Sequence, residues 1–414
     1  IGILWLVSSN RKAISWPLVL KGLIIQFILA FLILELDWVS NGFDWIGRGF
    51  VSLLGFAREG SLFLFGDLVG NTDSFGYIFA FQVLPTIIFF SAITSLLFHF
   101  GILQKVVFVF AWFMKRTLKL SGAESLSAAA NVFVGQTEAP LLVKPYIKGM
   151  TRSELMCLMT GGMSTIAGAV LAAYINYLGG DDPERQVFFA RHLLAASVMS
   201  APAAIVGAKI LLPETENFVD SAEVKINKQG NWLEAIAHGT ADGLKMSVNV
   251  GVMLLVFTAI IALINALLNG AIGSWTGLNE FIESSTSGRY TEFNLQSIFG
   301  IALAPLTWLM GVPWSDAASV GQLLGEKTVL NEFYAYVSME GLMNSGQLNS
   351  EKAQILSTYI LCGFANFASI GIQIGGIGAL APSRRKELSE LGLRALLAGT
   401  AASLFTAILV GILY

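Results

Sequence analysis

Histidine and cysteine are nearly absent from this chain, with three and two residues in 414. His99, His192 and His238 share no ligand spacing and stand near the ends of apolar runs, so no histidine-built metal centre or catalytic imidazole is expected. Cys157 and Cys362 both fall inside apolar helices, which argues against a disulfide framework; each is expected to pack as a small hydrophobe. Charge is also scarce: Asp, Glu, Lys and Arg make up 13%, the net charge is -3 and the pI is near 5.7. That balance offers no basic surface for nucleic acid, and the few charges sit mostly at the ends of apolar runs, where loops belong. An initiator Met is missing too. Ile1 to Val7 is apolar but too short to span, so it reads as the end of a first helix that begins earlier rather than as a signal peptide.

What the chain has instead is hydrophobic length. Apolar residues make up 55% and mean hydropathy is +0.68, with repeated apolar runs of about 20 residues, enough to cross a bilayer. The reading is an all-α polytopic membrane protein. Trp16 to Leu36 and Tyr77 to Phe100 are clear spans. Between them Phe43 to Arg58 mixes Trp45, Ile46, Phe50, Val51 and Leu54 with Asp44, Arg48 and Arg58, the spacing of a helix lying in the interface plane. Leu103 to Leu120 is expected to be another such helix, with a short tilted span as the alternative.

Two polar islands interrupt the apolar pattern. In Asn131-Val132-Phe133-Val134-Gly135-Gln136-Thr137-Glu138-Ala139-Pro140 a carboxylate, an amide and a hydroxyl stand beside two residues that disrupt helices, a costly combination in lipid unless it does a job. The other island, Gly325-Glu326-Lys327 running into Asn331-Glu332-Phe333, lies in the second half. Each is followed by an apolar helix interrupted by small polar residues. Residues 121–149 are broken by Gly135 and Pro140 into arms about half as long as the hydrocarbon core requires, which fits a re-entrant hairpin. Residues 317–336 form a second hairpin-like segment, broken around Gly325. The helix from Glu154 to Leu178 carries Gly161 to Gly168 with Ser164 and Thr165, and Ala353 to Leu380 carries Gly363 to Ser369; both compositions permit local unwinding inside a span.

The remaining segments frame these four. His192 to Leu212 is a span containing Pro202, and Glu214 to Gly230 is a polar linker between two halves. Trp232 to Leu244 reads as interfacial, Val248 to Leu268 as a span, and Asn269 to Glu292 as an exposed polar loop. Leu295 to Met310 is apolar, and Ala395 to Leu413 closes the chain. The order of hairpin, Ser-Glu start and broken helix occurs twice, with Ser153-Glu154 and Ser350-Glu351 at corresponding points, an internal repeat of the kind secondary transporters show. The expected organisation is 1–120 scaffold and interfacial helices, 121–213 a first transport repeat, 214–293 linker, interfacial helix and scaffold span, 294–382 a second transport repeat, and 383–414 a C-terminal helix.

A helix broken at mid-membrane exposes backbone N–H groups at one half-end and carbonyls at the other, so small polar solutes and cations are held without a fixed charge on every contact. Gln136 supplies donor and acceptor, Thr137 a hydroxyl and Glu138 an acceptor for hydroxyl or N–H groups, a set suited to a sugar or a heterocycle edge. Glu332 adds a carboxylate, and Asn366 and Ser369, three apart on one helical face, point together. Phe364 adjoins them and is placed to stack on a flat ring. The alternative for both glutamates is structural bonding to nearby backbone amides. Asn131, Thr165 and the carbonyls of Val134 and Ile166 are candidates for a sodium site of neutral oxygens, with helix capping as the equal alternative. Lys327 reads most simply as an ion pair with Glu326 at a hairpin tip.

The stretches Gly135 to Val143, Gly325-Glu326-Lys327, Asn331-Glu332-Phe333 with Ala335-Tyr336, and Cys362 to Asn366 resemble the concentrative nucleoside transporters, over roughly residues 121–386. The resemblance implies a homotrimer in which a scaffold domain makes the trimer contacts. It also implies a transport domain of two re-entrant hairpins and two unwound helices, related as an inverted repeat, that carries nucleoside across elevator fashion, driven by sodium or sometimes protons. By motif, Gln136, Thr137 and Glu138 would face the base and Glu332, Asn366 and Ser369 the ribose, with Val170 and Phe364 lining the pocket. Sodium would sit between Asn131, Val134, Thr165 and Ile166, and retention of those oxygen-bearing positions favours sodium over proton coupling. Gly135-Gln136 with Thr165-Ile166 is similar to the broad-selectivity members that accept purines and pyrimidines such as uridine, cytidine and adenosine. The short form implies a bacterial inner membrane. Two rivals stay open on the residues alone: a channel, since broken helices also build filters, and an intramembrane hydrolase using Glu138 and Glu332 as acid and base, which no nucleophile elbow, metal cluster or catalytic histidine accompanies.

Overall fold

The structure is a computed structural model and describes residues 1–216 and 231–414. The expected 214–230 linker therefore falls almost wholly outside the described residues. Everything regular among them is helical. Six helices are long and apolar enough to cross a membrane, and a bent pair, Leu295–Leu309 with Trp314–Val329 at 117°, would make a seventh. Trp16–Glu35 and Phe79–His99 match the first two expected spans.

The order of elements recurs. In the first half Ile102–Leu118 leads into Gly122–Asn131, a loop, the short helices Ala139–Leu142 and Lys144–Ile147, the pair Arg152–Ser164 and Gly168–Gly179, and the 29-residue helix Pro183–Leu211. In the second half Leu295–Leu309 leads into Trp314–Val329, Glu332–Asn344, the pair Glu351–Leu361 and Phe367–Leu380, and the 29-residue helix Arg385–Leu413. Side-chain caps set the starts. Ser121 with Glu124 and Thr151 with Glu154 form capping boxes, Ser350 Oγ accepts from the Ala353 amide, and each satisfies donors that a helix start leaves orphaned. Aligning the two cap residues, Thr151 with Ser350, puts Glu154 and Glu351 two positions out of step, so the two Ser-Glu pairs do not correspond.

Arg152–Gly179 and Pro183–Leu211 are almost wholly buried, whereas Trp232–Thr276 has almost no buried residue along its apolar window. The centre of the molecule is therefore built from Arg152–Gly179 and Pro183–Leu211, and the outer helices present apolar surface of the kind lipid covers.

Several boundaries differ from expectation, each for a visible reason. Trp232 to Leu268 is not an interfacial helix followed by a span: Trp232–Ala266 is one 35-residue helix that runs on as a π-helical turn, Leu267–Gly273. Its glycines do not break it, because they serve packing. A Cβ on Gly239 would lie 2.8 Å from Ala92 Cα, and one on Gly243 would lie 2.8 Å from Ile88 Cα. The supposed loop after it carries the helix Leu278–Ser285. The span expected from His192 starts at Pro183, where Asp182 Oδ1 accepts from the Glu184 amide at 3.0 Å and proline sits harmlessly in the first turn. His192 is thus interior and buried, bonded to Tyr359 Oη at 3.1 Å, not near a span end. Phe43–Arg58 is the middle of a longer helix, Asp37–Phe65, and the closing helix begins ten residues before Ala395, at Arg385.

In the second hairpin the break is not at Gly325. The helix continues to Val329 and the chain turns at Leu330-Asn331, with Asn331 Oδ1 accepting from the Tyr334 amide at 2.8 Å. Gly325 is small for contact: a Cβ there would sit 2.3 Å from Phe299 Cγ. The first hairpin's second arm is more fragmented than a helix because Pro140 and Pro145 remove amide donors.

Candidate functional site

The two unwound breaks meet. Thr165 leaves the first helix in an extended conformation, φ -122° and ψ 169°, and Gly363 turns the second with φ +106°. A Cβ on Gly363 would stand 2.7 Å from the Ser164 carbonyl carbon, so glycine is what lets the breaks touch. Cys362 sits at this break rather than inside a helix. Lys327 serves the same point. Its Nζ donates to Ile360 O at 2.8 Å, Cys362 O at 3.3 Å and Ser403 Oγ at 3.1 Å, satisfying carbonyls that the ended half-helix orphans. The expected Lys327–Glu326 pair does not form, because adjacent helical positions point apart.

Beside the breaks lies a cavity of about 450 Å³, within the range of small-molecule sites. All eight residues singled out as substrate contacts line it: Gln136, Thr137, Glu138, Val170, Glu332, Phe364, Asn366 and Ser369. They come from both hairpins and both broken helices. Asn366 caps the half-helix Phe367–Leu380, accepting from the Ser369 amide at 2.9 Å through Oδ1, and spends its Nδ2 on Glu332 Oε2 at 2.8 Å. Tyr174 Oη donates to the other oxygen, Oε1, at 3.1 Å. Gln136 Nε2 donates to Ser369 Oγ at 3.2 Å and its Oε1 accepts from Gln373 Nε2 at 3.1 Å, while Gln373 also donates to Met159 O at 3.0 Å. Glu138 folds back over Gly135, where a Cβ would meet Oε2 at 2.3 Å. That Oε2 has no hydrogen-bond partner among the described residues, so the cavity holds a strong acceptor ready for a hydroxyl or N–H donor.

The candidate sodium ligands gather beside it. Asn131 ends the first arm, buried, with Nδ2 donating to Ser127 O at 2.9 Å and Oδ1 without a partner among the described residues. A Cβ on Gly161 would lie 3.0 Å from Asn131 Nδ2, and Gly161 O accepts from Thr165 Oγ1 at 2.9 Å. Val134 and Ile166 are buried in the two loops, which the Gly168 amide joins to Phe133 O at 3.3 Å. No group of three or more His, Cys, Asp or Glu stands close enough to hold a metal among the described residues. A buried orphan amide oxygen with a hydroxyl and loop carbonyls suits a hard monovalent cation better than a transition metal.

The opposite wall was missed by the sequence reading. Asp242, Lys245, Met246, Asn249, Val250 and Met253 of Trp232–Ala266 also line the cavity. Their spacing of three and four is a single helical face, and polar residues continuing such a stripe into an apolar run were the available signal. Gln373 and Tyr174, which hold Gln136 and Glu332, were also missed; nothing in their sequence neighbourhood marks them.

Comparison with known proteins agrees with this geometry. Three family models match: Na+ dependent nucleoside transporter N-terminus over residues 1–68, nucleoside recognition (gate) over 80–180, and Na+ dependent nucleoside transporter C-terminus over 192–411. An uncharacterized transporter of Haemophilus influenzae is 42% identical across 100% of this chain and 95% of its own length. Sodium/nucleoside cotransporter 1 of Rattus norvegicus is 40% identical across 100% of this chain, which spans 62% of it. Among solved structures, CNTnw in an inward-facing substrate-bound state is similar with a TM-score of 0.89 at 37% identity, covering 99% of this chain and 94% of that one. A doubly substituted CNTnw in an outward-facing state gives 0.90 with 99% and 95% covered. Fold and site thus define a multi-pass membrane transporter rather than an enzyme. The chain belongs to the Na+-dependent nucleoside transporter family, the concentrative nucleoside transporters, a family in which sodium is the coupling ion.

Proposed function

We propose that this protein is a sodium-coupled symporter that imports nucleosides across a bacterial inner membrane by elevator-type alternating access. The carrying observation is the convergence of Gln136, Thr137, Glu138, Glu332, Asn366 and Ser369 from four segments on one cavity. Glu138, Gln136 and Thr137 would receive the base. Glu332, Asn366 and Ser369 would take ribose hydroxyls, with Val170 and Phe364 packing on the rings. Sodium would bind at Asn131, Thr165 and the carbonyls of Val134 and Ile166, and the orphaned Asn131 Oδ1 supports this. The similar protein CNTnw has been solved in inward-facing, outward-facing and intermediate states, which favours alternating access here.

In this reading 121–213 and 294–382 are inverted repeats that move as a transport domain, and 1–120 with 214–293 is the scaffold. The recurring element order supports the repeat. The exposed apolar flank of Trp232–Ala266 is available to lipids and to the other copies of a homotrimer. Uridine, cytidine and adenosine are the expected substrates. Uptake of each into proteoliposomes under imposed sodium, potassium or proton gradients tests all of this. Saturable, sodium-driven accumulation is expected. Uptake driven only by protons would overturn the coupling ion, and flux proportional to concentration without accumulation would make the protein a channel.

A further inference from the structure

The second hairpin holds a carboxyl that the nucleoside cavity does not use. Glu326 is buried in Trp314–Val329, 1% exposed, and does not line the cavity. Its Oε1 accepts from Gln322 Nε2 at 3.0 Å, one turn back. The Ser338 and Gln296 side chains stand beside the carboxyl, yet Oε2 has no hydrogen-bond partner among the described residues.

Among the described residues no cation reaches it. Lys327 is committed to Ile360 O, Cys362 O and Ser403 on the far side of the helix, and Arg289 is committed to Ser319 Oγ, Gln347 O and Ser315 O. Leu295–Leu309 turns Gln296 toward Glu326 and carries no titratable side chain. Glu332–Asn344 brings Tyr334 and Ser338. The segment before Leu295–Leu309 brings Tyr290, whose hydroxyl donates to Gln322 Oε1 at 3.3 Å. From Glu351–Leu361 the Ile360 carbonyl is held by Lys327 and the Thr358 carbonyl by the Tyr336 hydroxyl. The acid at the start of the hairpin, Asp316, accepts from the amides of Asn349 and Ser350. The polar groups that face Glu326 among the described residues are therefore amides and hydroxyls.

The seam around it is tight. Gly325 has no room for a Cβ against Phe299, and a Cβ on Gly321 would lie 3.0 Å from Gly300 O. An ionised carboxylate buried there without a cation is strongly disfavoured, and a bound proton removes the charge. The seam is also tied to the opposite cavity wall, because Gln296 Oε1 accepts from Asn265 Nδ2 at 2.9 Å and the Leu295 amide donates to Asn265 Oδ1 at 3.0 Å.

We propose that Glu326 is a proton-binding site of the second hairpin, separate from the nucleoside and sodium sites, and that the hairpin moves only while this carboxyl is protonated. The proton comes from water and returns to it. Its loss leaves a bare carboxylate in the seam, which draws in water and loosens the hairpin from Leu295–Leu309. The consequence for transport rests on the symporter reading above; the proton site does not.

Two readouts test it on the whole protein in lipid. Difference infrared spectra between mildly acidic and alkaline pH should show a protonated-carboxyl band that disappears on titration and is missing from Glu326→Gln. Nucleoside uptake at a fixed sodium gradient should fall in the wild type about tenfold per pH unit beyond the titration point, as the acid form is depleted, and Glu326→Gln should keep its uptake without that fall. Glu326→Asp keeps a carboxyl at a different depth, so it should retain the fall with a displaced midpoint, and it decides the matter if the Gln variant does not fold. Superimposable pH profiles in wild type and Glu326→Gln, an infrared band unchanged in that variant, or an undisplaced midpoint in Glu326→Asp would overturn the proposal. No uptake by the wild type at any pH would sink the transport reading alone, and the infrared band would still decide the proton site.

Discussion

Asn366 Nδ2 donates to Glu332 Oε2 across 2.8 Å although 34 positions separate the two residues. The bond joins the tip of the second hairpin to the break in the helix behind it, and the same asparagine caps the half-helix that follows. Glu332→Ala should therefore weaken uridine binding by on the order of 1–3 kcal/mol, roughly tenfold or more, as measured by calorimetry. Because the partners share one bond, Glu332→Ala with Asn366→Ala should cost less than the sum of the single changes. Unchanged affinity in Glu332→Ala would remove it from the ribose assignment.

Asn131 offers a buried carbonyl oxygen with no hydrogen-bond partner among the described residues. Asn131→Leu should raise the sodium concentration for half-maximal uptake by on the order of tenfold, about 1.4 kcal/mol of lost ion binding. Nucleoside affinity at saturating sodium should change little. The check is uptake titrated with sodium at several uridine concentrations; an unchanged sodium requirement would place the ion elsewhere.

Lys209 Nζ lies 2.5 Å from Glu124 Oε1, with both side chains almost fully buried, and also donates to Ser153 Oγ at 3.0 Å. These bonds tie the starts of the first hairpin and the first broken helix to the end of Pro183–Leu211. Lys209→Met leaves Glu124 buried without its partner, a loss of about 3–5 kcal/mol. Thermal unfolding in detergent should show a large drop in midpoint, and Lys209→Met combined with Glu124→Gln should recover part of it.

Gly363 combines positive φ with a 2.7 Å approach to Ser164. Gly363→Ala should destabilise the fold by on the order of 1–3 kcal/mol and reduce both uridine and sodium binding, since both sites border the breaks. A variant that unfolds earlier yet binds both ligands normally would show that the contact between breaks is structural only.

What was legible in the sequence was chemistry under a composition constraint. A carboxylate in an apolar run is expensive, so Glu138 and Glu332 stood out, and all eight substrate candidates line one cavity. Glycine was harder to read, because its two uses look alike on paper. At Gly363 it supplies a backbone turn; at Gly325 it supplies room for Phe299, and reading it as an interruption misplaced the second hairpin's break. Trp232–Ala266 was divided for another reason, its polar stripe at the start having read as a separate interfacial helix. Lys327 was misjudged because its nearest acid in sequence is not its partner in space. Its three acceptors come from distant segments, and adjacency carries no information about them.

In the elevator movement proposed above, the single rod from Trp232 to Ala266 would set how freight is handled. Gly239 and Gly243 seat it so closely on Leu84–His99 that the two act as one mast, and the cavity wall bearing Asp242, Lys245 and Asn249 is a strip of that mast. In that reading a passenger held by the hairpins would slide past a stationary ruler of side chains, meeting one turn after another, and each step of the journey would be read against the same fixed scale.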